Sequence, residues 1–498
     1  MSAIITEKFR QHNASQFVES FTEAAASTYY LFLGKATAYT STTTGGTDSS
    51  PPTPSTGPED EFRAWRAMLG AKLISSTDVK RSIPRRNWSN GATFDMYRHD
   101  YTSSNTSTSG SSDLFDSTFY FMTSDFRVYK VLDNNGGSAF SGSEPTSEST
   151  SPFASGGYVL KYMYTITTSD FSKFGTTDFI PVATDSTVSA AATDGKIESL
   201  VITAGSGYTD GTYYAAVFGD GNNQGTSSGA IVRITVSSGQ IVSFGLTAGT
   251  DTTIHAGGAA YTFGFVNLGD DYIFSDASLS SSASLGSGSG GAIEVIISPD
   301  GGHGSDAVQE LGGHFVMLAT TLTQAEGDDF TTANDFRSVG IVVDPTNFGT
   351  STVATATTRR QTYIVKVDTN SGTFEADERI TQASTGAVGK VVEFDSSLNL
   401  LYYQQEEFKG FGTNATTGGY VAFSGTNQIT GASSGATGTT TGTTETVTLA
   451  NANTVTLTSG YANPELAFPS GNIIYLENRK PIQRASDQTE DIKVIIEF

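Results

Sequence analysis

The chain of 498 residues contains no cysteine. Disulfide bonds, thiolate metal sites and thiol catalysis are therefore excluded. Charged residues make up only 16%, and proline occurs at 13 positions. No apolar run approaches the roughly 18 residues of a membrane-spanning helix, and the first residues lack the basic and apolar regions of a secretory signal. We therefore expect a protein that is made and folded in a cytoplasm.

Basic residues are also few, with 28 Lys and Arg against 51 Asp and Glu and a formal net charge of −23. A surface this acidic repels phosphate backbones and anionic lipids, so we expect no nucleic acid and no membrane as partners. The exception is a basic island at Val79–Trp88, which contains Lys80, Arg81, Arg85 and Arg86. On such a chain it indicates contact with an acidic protein patch rather than with nucleic acid.

Glycine and aromatic residues are abundant, with 54 Gly, 31 Phe and 21 Tyr. This composition favours β-strands joined by many turns, so we expect a mainly β fold with a few helices, an α+β protein. One helix is predicted near the N-terminus, with Phe9, Phe17 and Phe21 near one face. A second is predicted from Pro58, and its stripe of apolar side chains indicates core packing rather than a cofactor site: Phe62, Trp65, Met68 and Leu69.

An aromatic hairpin is predicted between Ser117 and Gly137, with Thr123, Ser124 and Asp125 as turn formers. The tetrapeptide Thr-Ser-Asp-Phe recurs at Thr168–Phe171 after another aromatic strand. Two such units predict sheets whose aromatic faces cover one another. We therefore expect core residues rather than a ligand platform, with three phenylalanines largely buried: Phe119, Phe121 and Phe126.

Two internal duplications suggest inserted domains. The segment DGKIESLVITAG from Asp194 is similar to SGQIVSFGLTAG from Ser238, and ITQASTGAVG from Ile380 is similar to ITGASSGATG from Ile429. The second region ends in a stretch of low complexity. We predict a discontinuous core with two small inserted β domains. The core covers residues 1–186, 291–368 and 458–498, and the inserts cover 187–290 and 369–457.

Two glycine-rich motifs are weak candidates for binding. Gly286–Gly291 has the G-x-G-x-x-G spacing, but a strand follows it where a dinucleotide site needs a helix, so a flexible linker is favoured. Asp220–Gly225 is similar to the start of a calcium loop, but the position of the bidentate glutamate is Ile231. A hairpin turn is favoured there, with adventitious calcium as the alternative.

The histidines show no ligand-like spacing, although the segment between His303 and His314 could bring those two together. The acidic clusters lie close in sequence and do not indicate a glycosidase cleft. We therefore predict no catalytic, cofactor-binding or metal-binding residue, no small-molecule substrate and no enzymatic activity. The residues considered are His12, His99, His255, His303, His314, Glu326, Asp328, Asp329, Glu406 and Glu407.

Several sequence blocks resemble the baseplate wedge subunit, gene-product-eight type, of T-even-like contractile-tailed phages. The resemblance covers about residues 1–186, 291–368 and 458–498, and the length is similar to the enlarged versions in phages of marine cyanobacteria. The blocks are FRVYKVLDNNGG, YVLKYMYTI with FIPV, SPDGGHGSDAVQELGGHFVML, DDFTTANDFRSVGIVVDP and GNIIYLENRKPIQRASDQTEDIKVIIEF. In the last block we expect a turn at Pro481 and a strand over Ile492–Ile496.

This resemblance implies a layered β-sandwich with helices packed between sheets. It also implies a homodimer that contacts other wedge subunits in the tail baseplate of the virion, and a role in tail assembly and in baseplate rearrangement on host attachment. A host-recognising adhesin or fibre protein is the alternative, favoured by the β-repeats. A polysaccharide-degrading tailspike would need a long regular β-helix period and a carboxylate cleft, and neither is visible in the sequence.

Overall fold

The computed structural model describes most of the chain. The described residues are 6–39, 45–196, 198–216, 218–219, 231–241, 265–267, 275–276, 288–322, 330, 332, 334–368, 371–405, 421–449, 452–485 and 489–498. Five α-helices lie within these ranges: α1 (Glu7–Glu19), α2 (Pro58–Ala67), α3 (Thr168–Phe174), α4 (Ser186–Ala190) and α5 (Ala307–Glu310). No helix in the described part of the chain is long and apolar enough to span a membrane.

Strands dominate the described residues, which confirms the mainly β fold class. The first fifteen are β1 (Tyr29–Gly34), β2 (Met68–Ile74), β3 (Val79–Pro84), β4 (Tyr120–Met122), β5 (Arg127–Asp133), β6 (Phe153–Ser155), β7 (Tyr158–Thr165), β8 (Phe179–Pro181), β9 (Ser199–Ser206), β10 (Gly211–Ala216), β11 (Phe218–Gly219), β12 (Ile231–Ser237), β13 (Gln240–Ile241), β14 (Phe265–Asn267) and β15 (Ser275–Asp276). The others are β16 (Ser289–Ile296), β17 (Phe315–Leu322), β18 (Phe336–Val343), β19 (Thr358–Arg360), β20 (Tyr363–Asp368), β21 (Arg379–Gln382), β22 (Ala387–Asp395), β23 (Leu400–Gln404), β24 (Gln428–Gly431), β25 (Thr437–Thr440), β26 (Glu445–Thr448), β27 (Thr454–Leu457), β28 (Tyr461–Ala462), β29 (Asn472–Ile482) and β30 (Glu490–Glu497).

The chain divides into two compact units. Unit 1 contains Met1–Gln16, Lys80–Met317 and Ile495–Phe498, and unit 2 contains Phe17–Val79 and Leu318–Val494. A four-stranded sheet of order β30-β17-β3-β8 includes the C-terminal strand, which confirms the strand predicted over Ile492–Ile496. The turn predicted at Pro481 is wrong, because β29 continues through that residue with an irregularity in its pairing.

The aromatic hairpin of unit 1 belongs to a sheet of order β4-β5-β7-β6. Phe119 and Phe121 are fully buried, as predicted, and Phe121 pairs with Tyr129 across the hairpin. Both sheet faces are covered, because Val128 and Tyr129 point to opposite sides and neither is exposed. These aromatic residues therefore form core rather than a ligand platform.

Phe126 departs from the prediction, since it is only half-buried. It occupies the turn with a φ of 63°, a left-handed conformation that takes its side chain out of the strand alternation. Its ring stacks on Phe171 with centroids 4.3 Å apart, so the phenylalanines of the two Thr-Ser-Asp-Phe copies contact each other. The second copy begins α3 rather than a turn, because the Thr167 hydroxyl accepts a hydrogen bond from the Asp170 amide and caps the helix.

Unit 2 contains a five-stranded sheet of order β19-β2-β1-β18-β29, which buries Tyr30 and Phe32. Helix α2 begins with Pro58 at its first turn and packs Trp65 into this core. Trp65 is 1% exposed, as the stripe predicted, whereas Phe62 on the same helix is 39% exposed. The helix ends at Ala67, so Met68 and Leu69 are buried as residues of β2.

The predicted aromatic face of α1 is only partly formed. The helix ends at Glu19, so Phe21 lies beyond it and stacks on Tyr29 with centroids 4.1 Å apart. Phe17 packs edge-on against the same tyrosine at 5.4 Å. Phe9 is 54% exposed, so it does not contribute to a buried face of the helix.

The second duplication lies in a seven-stranded sheet of order β23-β22-β21-β24-β25-β20-β28. An additional pairing between β20 and β23 closes six of these strands into a ring, which leaves those strands without free edges. The first strands of the two copies pair antiparallel, with Thr381 opposite Thr430. Ile380 and Ile429 hold equivalent positions in the copies, and both are fully buried. The duplication therefore builds one shared core.

Candidate assembly surface and inserted module

A two-stranded stem leads into the first duplicated region in unit 1. Strand β9 pairs antiparallel with β16 from Ser199 opposite Ile296 to Ser206 opposite Ser289. The far end is fastened by Tyr208, whose hydroxyl accepts a hydrogen bond from the Gly291 amide at 2.9 Å. A β-carbon on Gly291 would lie 2.7 Å from that hydroxyl oxygen, so a larger residue there would displace the Tyr208 ring.

The near end of the stem is anchored to the rest of unit 1. The Ser199 hydroxyl donates to the Leu132 carbonyl at 2.5 Å, which ties β9 to the end of β5. Arg98 forms an ion pair with Glu294 on β16 at 2.6 Å. The last core residue of the stem, Ile296, is fully buried. The stem is therefore fixed at its base by both of its strands.

The predicted flexible linker at Gly286–Gly291 is wrong in its last part, because Ser289 onwards belongs to β16. The strand after the glycines agrees with the rejection of a dinucleotide site. The calcium-like segment Asp220–Gly225 lies outside the described residues, as do His255, Glu326, Asp328, Asp329, Glu406 and Glu407.

The remaining histidines occupy different settings. His12 is exposed on α1, and His99 is exposed with its Nδ1 accepting the Ile297 amide at 3.2 Å. His303 and His314 are both buried, at 2% and 6% exposure. No group of three or more His, Cys, Asp or Glu side chains in the described ranges is arranged to hold a metal ion.

His314 takes part in a junction of the N- and C-terminal segments of unit 1. Its Nδ1 lies 3.0 Å from Glu7 Oε2, and its Nε2 lies 3.3 Å from Arg10 Nη1. Arg10 also forms an ion pair with Glu497 on β30 at 2.7 Å. Burial and the nearby Arg10 lower the pKa of His314, which favours the neutral imidazole. This junction fastens α1 to the C-terminus.

The basic island is used within unit 1 rather than presented to a partner. Arg81 donates to the Gly313 carbonyl and to the Ser15 hydroxyl. Arg85 donates to the Thr176 carbonyl at 2.8 Å and lies over the Phe171 ring. Arg86 donates to the Phe115 carbonyl, and Lys80 lies 3.6 Å from the Asp170 carboxylate. These internal contacts therefore give no support to the predicted contact between the basic island and an acidic patch on a partner protein.

A cleft of about 500 Å³ lies beside the stem in unit 1. Its charged side chains already have partners, since Glu198 pairs with Lys196 at 2.9 Å and Arg98 pairs with Asp100 at 2.7 Å. The Asp133 carboxylate accepts a hydrogen bond from the Asn135 amide, and burial raises its pKa. The lining shows no nucleophile and base in contact, so it gives no support for catalysis.

Exposed apolar side chains mark a candidate assembly surface on unit 2. Phe62 is 39%, Phe348 49% and Ile474 47% exposed, and these are three of the four large hydrophobic residues most exposed in the described chain. The Phe62 ring contacts Phe468 with centroids 4.7 Å apart, and the Arg66 guanidinium lies 3.8 Å from the Phe468 centroid. We call Phe62, Phe348, Phe468 and Ile474 the apolar surface.

One chain segment connects the members of this surface. The Phe348 amide donates to the Glu465 carbonyl, Phe62 contacts Phe468, and Ile474 follows in β29. Ile474 is the extra residue of a bulge, because Tyr475 pairs with Ile341 while Ile473 pairs with Val342. Bulges disrupt strand pairing, so the edge of β29 is protected against strand addition and its side chains are the available contacts.

Comparison with known proteins gives one family match. The profile of that family, described as Bacteriophage T4, Gp8, matches residues 3–139 and 443–498. No curated protein matches the chain in a sequence search. The match supports a structural component of a phage baseplate.

The chain is similar to the gene-product-eight type of baseplate protein over these two segments, which together span less than half of its 498 residues. The matched segments contain the aromatic hairpin and the segment Glu465–Ile474 that connects the apolar surface. Residues 140–442, which include the stem and the ring of six strands, lie outside the match.

Proposed function

We propose that the protein is a baseplate wedge component that acts in tail assembly and in baseplate rearrangement on host attachment, and that it has no enzymatic activity. The observation that carries this proposal is that three of the four residues of the apolar surface, Phe62, Phe468 and Ile474, lie in the two segments that match the family. Apolar patches of this kind mark protein contacts, and a metastable assembly needs surfaces that exchange neighbours rather than catalytic groups.

We further propose that the apolar surface pairs two copies of the chain before they enter a wedge. A closed two-fold pair is the commonest symmetry of soluble oligomers and uses the same patch twice. The protein would be made in the host cytoplasm, pair there and then join neighbouring subunits. The stem presents the first insert as a separate module, which favours extra contacts with baseplate neighbours.

Placing charge on the apolar surface is expected to separate the pair. The double variant Phe62→Glu/Phe348→Glu should elute as a monomer in light scattering, while the unmodified chain elutes as a dimer. Glutamate at position 62 lies one helical turn before Arg66 and is compatible with α2. Phe9→Glu is the matched control, because Phe9 is the most exposed large hydrophobic residue among those described in unit 1, and its replacement should leave the dimer intact.

A monomeric unmodified protein, or a dimer that survives the double variant, would contradict this use of the surface. The circular dichroism of each variant establishes that it is folded. Copurification with the other wedge subunits then distinguishes pairing from wedge assembly. A monomeric variant that still joins wedges would retain the proposed function and would contradict only the proposal that pairing comes first.

Removing the first insert above its stem is expected to leave unit 1 folded. Ser206 and Ser289 are paired, so replacing residues 207–288 with Asn-Gly should close β9 and β16 as a hairpin. The product should keep its thermal unfolding temperature within a few degrees and remain dimeric. Loss of all soluble protein would show that the insert is part of the core.

A host-recognising adhesin is the second candidate function, and the stem is the observation that favours it. A module on an anchored ribbon could reach a host surface as well as a neighbouring subunit. Binding of the full chain to host cells, abolished by the same 207–288 replacement, would support the adhesin.

A further inference from the structure

A short loop closes the base of the stem. This loop, Pro299–Asp306, follows β16 and is bonded to the chain that enters the stem. The Gly301 amide donates to Asp194 Oδ1 at 2.8 Å, and the Ser189 hydroxyl donates to the Ser305 carbonyl at 2.6 Å. We call Pro299–Asp306 the joint loop, because it holds the entry and exit of the stem together.

The joint loop is seated tightly on the aromatic sheet. Gly304 has a φ of 93°, a left-handed value that favours glycine. A β-carbon there would lie 2.7 Å from Val188 Cγ1 and 2.9 Å from Lys161 Cε. The loop backbone at Gly304 therefore lies so close to side chains of α4 and β7 that a residue with a β-carbon would clash with them.

The carboxylate of Glu310 binds the backbone of the joint loop. Its Oε1 accepts hydrogen bonds from the Gly304 amide at 2.7 Å and from the Asp306 amide at 3.2 Å. Its Oε2 accepts a hydrogen bond from Lys130 Nζ at 2.6 Å, and the side chains of this ion pair are 2% and 0% exposed. One carboxylate thus connects the loop to the centre of β5.

His303 lies within this loop and is 2% exposed. Its ring packs edge-on against Tyr97 with centroids 4.9 Å apart. Among the described residues, neither ring nitrogen has a hydrogen-bond partner. A buried polar group without a partner is rare and costly, and a charged one is far more so.

The charges around His303 also oppose its protonation. Three ammonium groups act on the ring, from Lys130 on β5, Lys161 on β7 and Lys196 on the entry to the stem. The carboxylates of Glu310 and Glu198 are in ion pairs with Lys130 and Lys196 respectively. The joint loop and the segment bonded to it add three aspartates: Asp194 accepts from the Gly301 amide, Asp300 pairs with Lys8 at the surface, and Asp306 accepts from the Val308 amide. Burial is the largest cause that lowers the pKa of His303, followed by the three lysines.

We propose that the joint loop is an acid-sensitive latch, in which neutral His303 fits the buried cluster and protonated His303 forces the loop open. Opening would detach Gly304 and Asp306 from Glu310 and Gly301 from Asp194, which removes the tie that the joint loop adds at the base of the stem. This device goes beyond the wedge function, so its failure would leave that function untouched.

The direction of the pH dependence follows from the lowered pKa. Above pH 6.5, the ordinary value of histidine, the ring is neutral in both the closed and the open loop, and closure keeps its full stability. As the pH falls below 6.5, the open loop binds a proton that the closed loop excludes. The opening constant should therefore rise about tenfold between pH 7.5 and pH 5.5.

Hydrogen exchange of the full chain, followed by mass spectrometry of peptides that contain Gly304 and Asp306, measures this opening. After correction for intrinsic exchange at each pH, protection should fall about tenfold from pH 7.5 to pH 5.5. In His303→Phe, which keeps an aromatic ring against Tyr97, it should change less than about twofold. His12→Gln, at an exposed histidine, should behave as the unmodified chain does.

A flat profile for the unmodified chain would overturn the latch, and so would an equal fall in His303→Phe. His314 also has a lowered pKa, but its contacts are with Glu7 and Arg10, so its protonation should change exchange in α1 instead. If His303→Phe does not fold, His303→Gln is the second uncharged variant. If neither variant folds, the pH dependence of exchange in the unmodified chain decides whether the latch exists.

Discussion

Replacing Lys130 with methionine is expected to lower the free energy of unfolding of unit 1 by about 3 to 5 kcal/mol. Lys130 is fully buried, with its ammonium 2.6 Å from Glu310 and 4.1 Å from the Tyr97 ring centroid. Methionine fills a similar volume but leaves the Glu310 carboxylate buried without its cation. That uncompensated charge, rather than lost packing, causes the predicted effect.

A second substitution tests this cause. In Lys130→Met/Glu310→Gln neither member of this pair is charged, and the glutamine oxygen can still accept from Gly304 and Asp306. The double variant should be about 1 to 3 kcal/mol more stable than Lys130→Met alone. Lys80→Met is the matched control within unit 1, because its pair with Asp170 at 3.6 Å is partly exposed and should contribute about 1 kcal/mol or less.

The two tryptophans allow unit 1 to be followed separately, since Trp88 lies in unit 1 and Trp65 in unit 2. In a Trp65→Phe background, denaturant unfolding monitored by Trp88 fluorescence gives the stability of unit 1. An equal loss in Lys130→Met and Lys80→Met would contradict the assignment of a buried charge cluster.

Phe121→Ala is expected to cost about 3 to 5 kcal/mol in the same assay. Phe121 is fully buried in β4, and its ring lies between Phe94 at 4.6 Å and Phe140 at 6.1 Å. These rings are held by both the sheet and the loops that cover it, so the surroundings cannot collapse fully into the space left by the removed ring. The loss therefore combines transfer and cavity costs.

Phe126→Ala is the matched control within the same hairpin. Phe126 is half-buried and contacts Phe171 by one ring stack, so its truncation should cost about 1 to 2 kcal/mol. A Phe121 variant no less stable than the Phe126 variant would show that the aromatic hairpin is not the centre of the unit 1 core.

The sequence was sufficient for features that depend on local pattern. Alternating aromatic residues predicted the buried strands of the hairpin, and the duplication around Ile380 and Ile429 predicted related strands. The deviations occur where conformation overrides pattern. Phe126 leaves the alternation through its positive φ, and β29 continues through Pro481 because an edge strand with an irregularity can accept a residue that lacks an amide hydrogen.

Long-range contacts explain what the sequence could not show. Lys130 alternates with Val131 as a surface lysine would, and its partner Glu310 is 180 positions away. Phe62 belongs to a stripe that predicts core packing, yet it is 39% exposed in the middle of α2 and its ring contacts Phe468 edge-on. The glycine-rich block around His303 was noted as a motif, but only the fold brings three lysines towards it.

Cryo-electron microscopy of the intact phage particle tests the central claim most directly. The wedge account predicts two copies of this chain in each baseplate wedge, with Phe62, Phe348 and Ile474 covered by protein and the stem of β9 and β16 directed at a neighbouring subunit. Density for the chain at the tip of a fibre, or in the baseplate with these three side chains open to solvent, would contradict it.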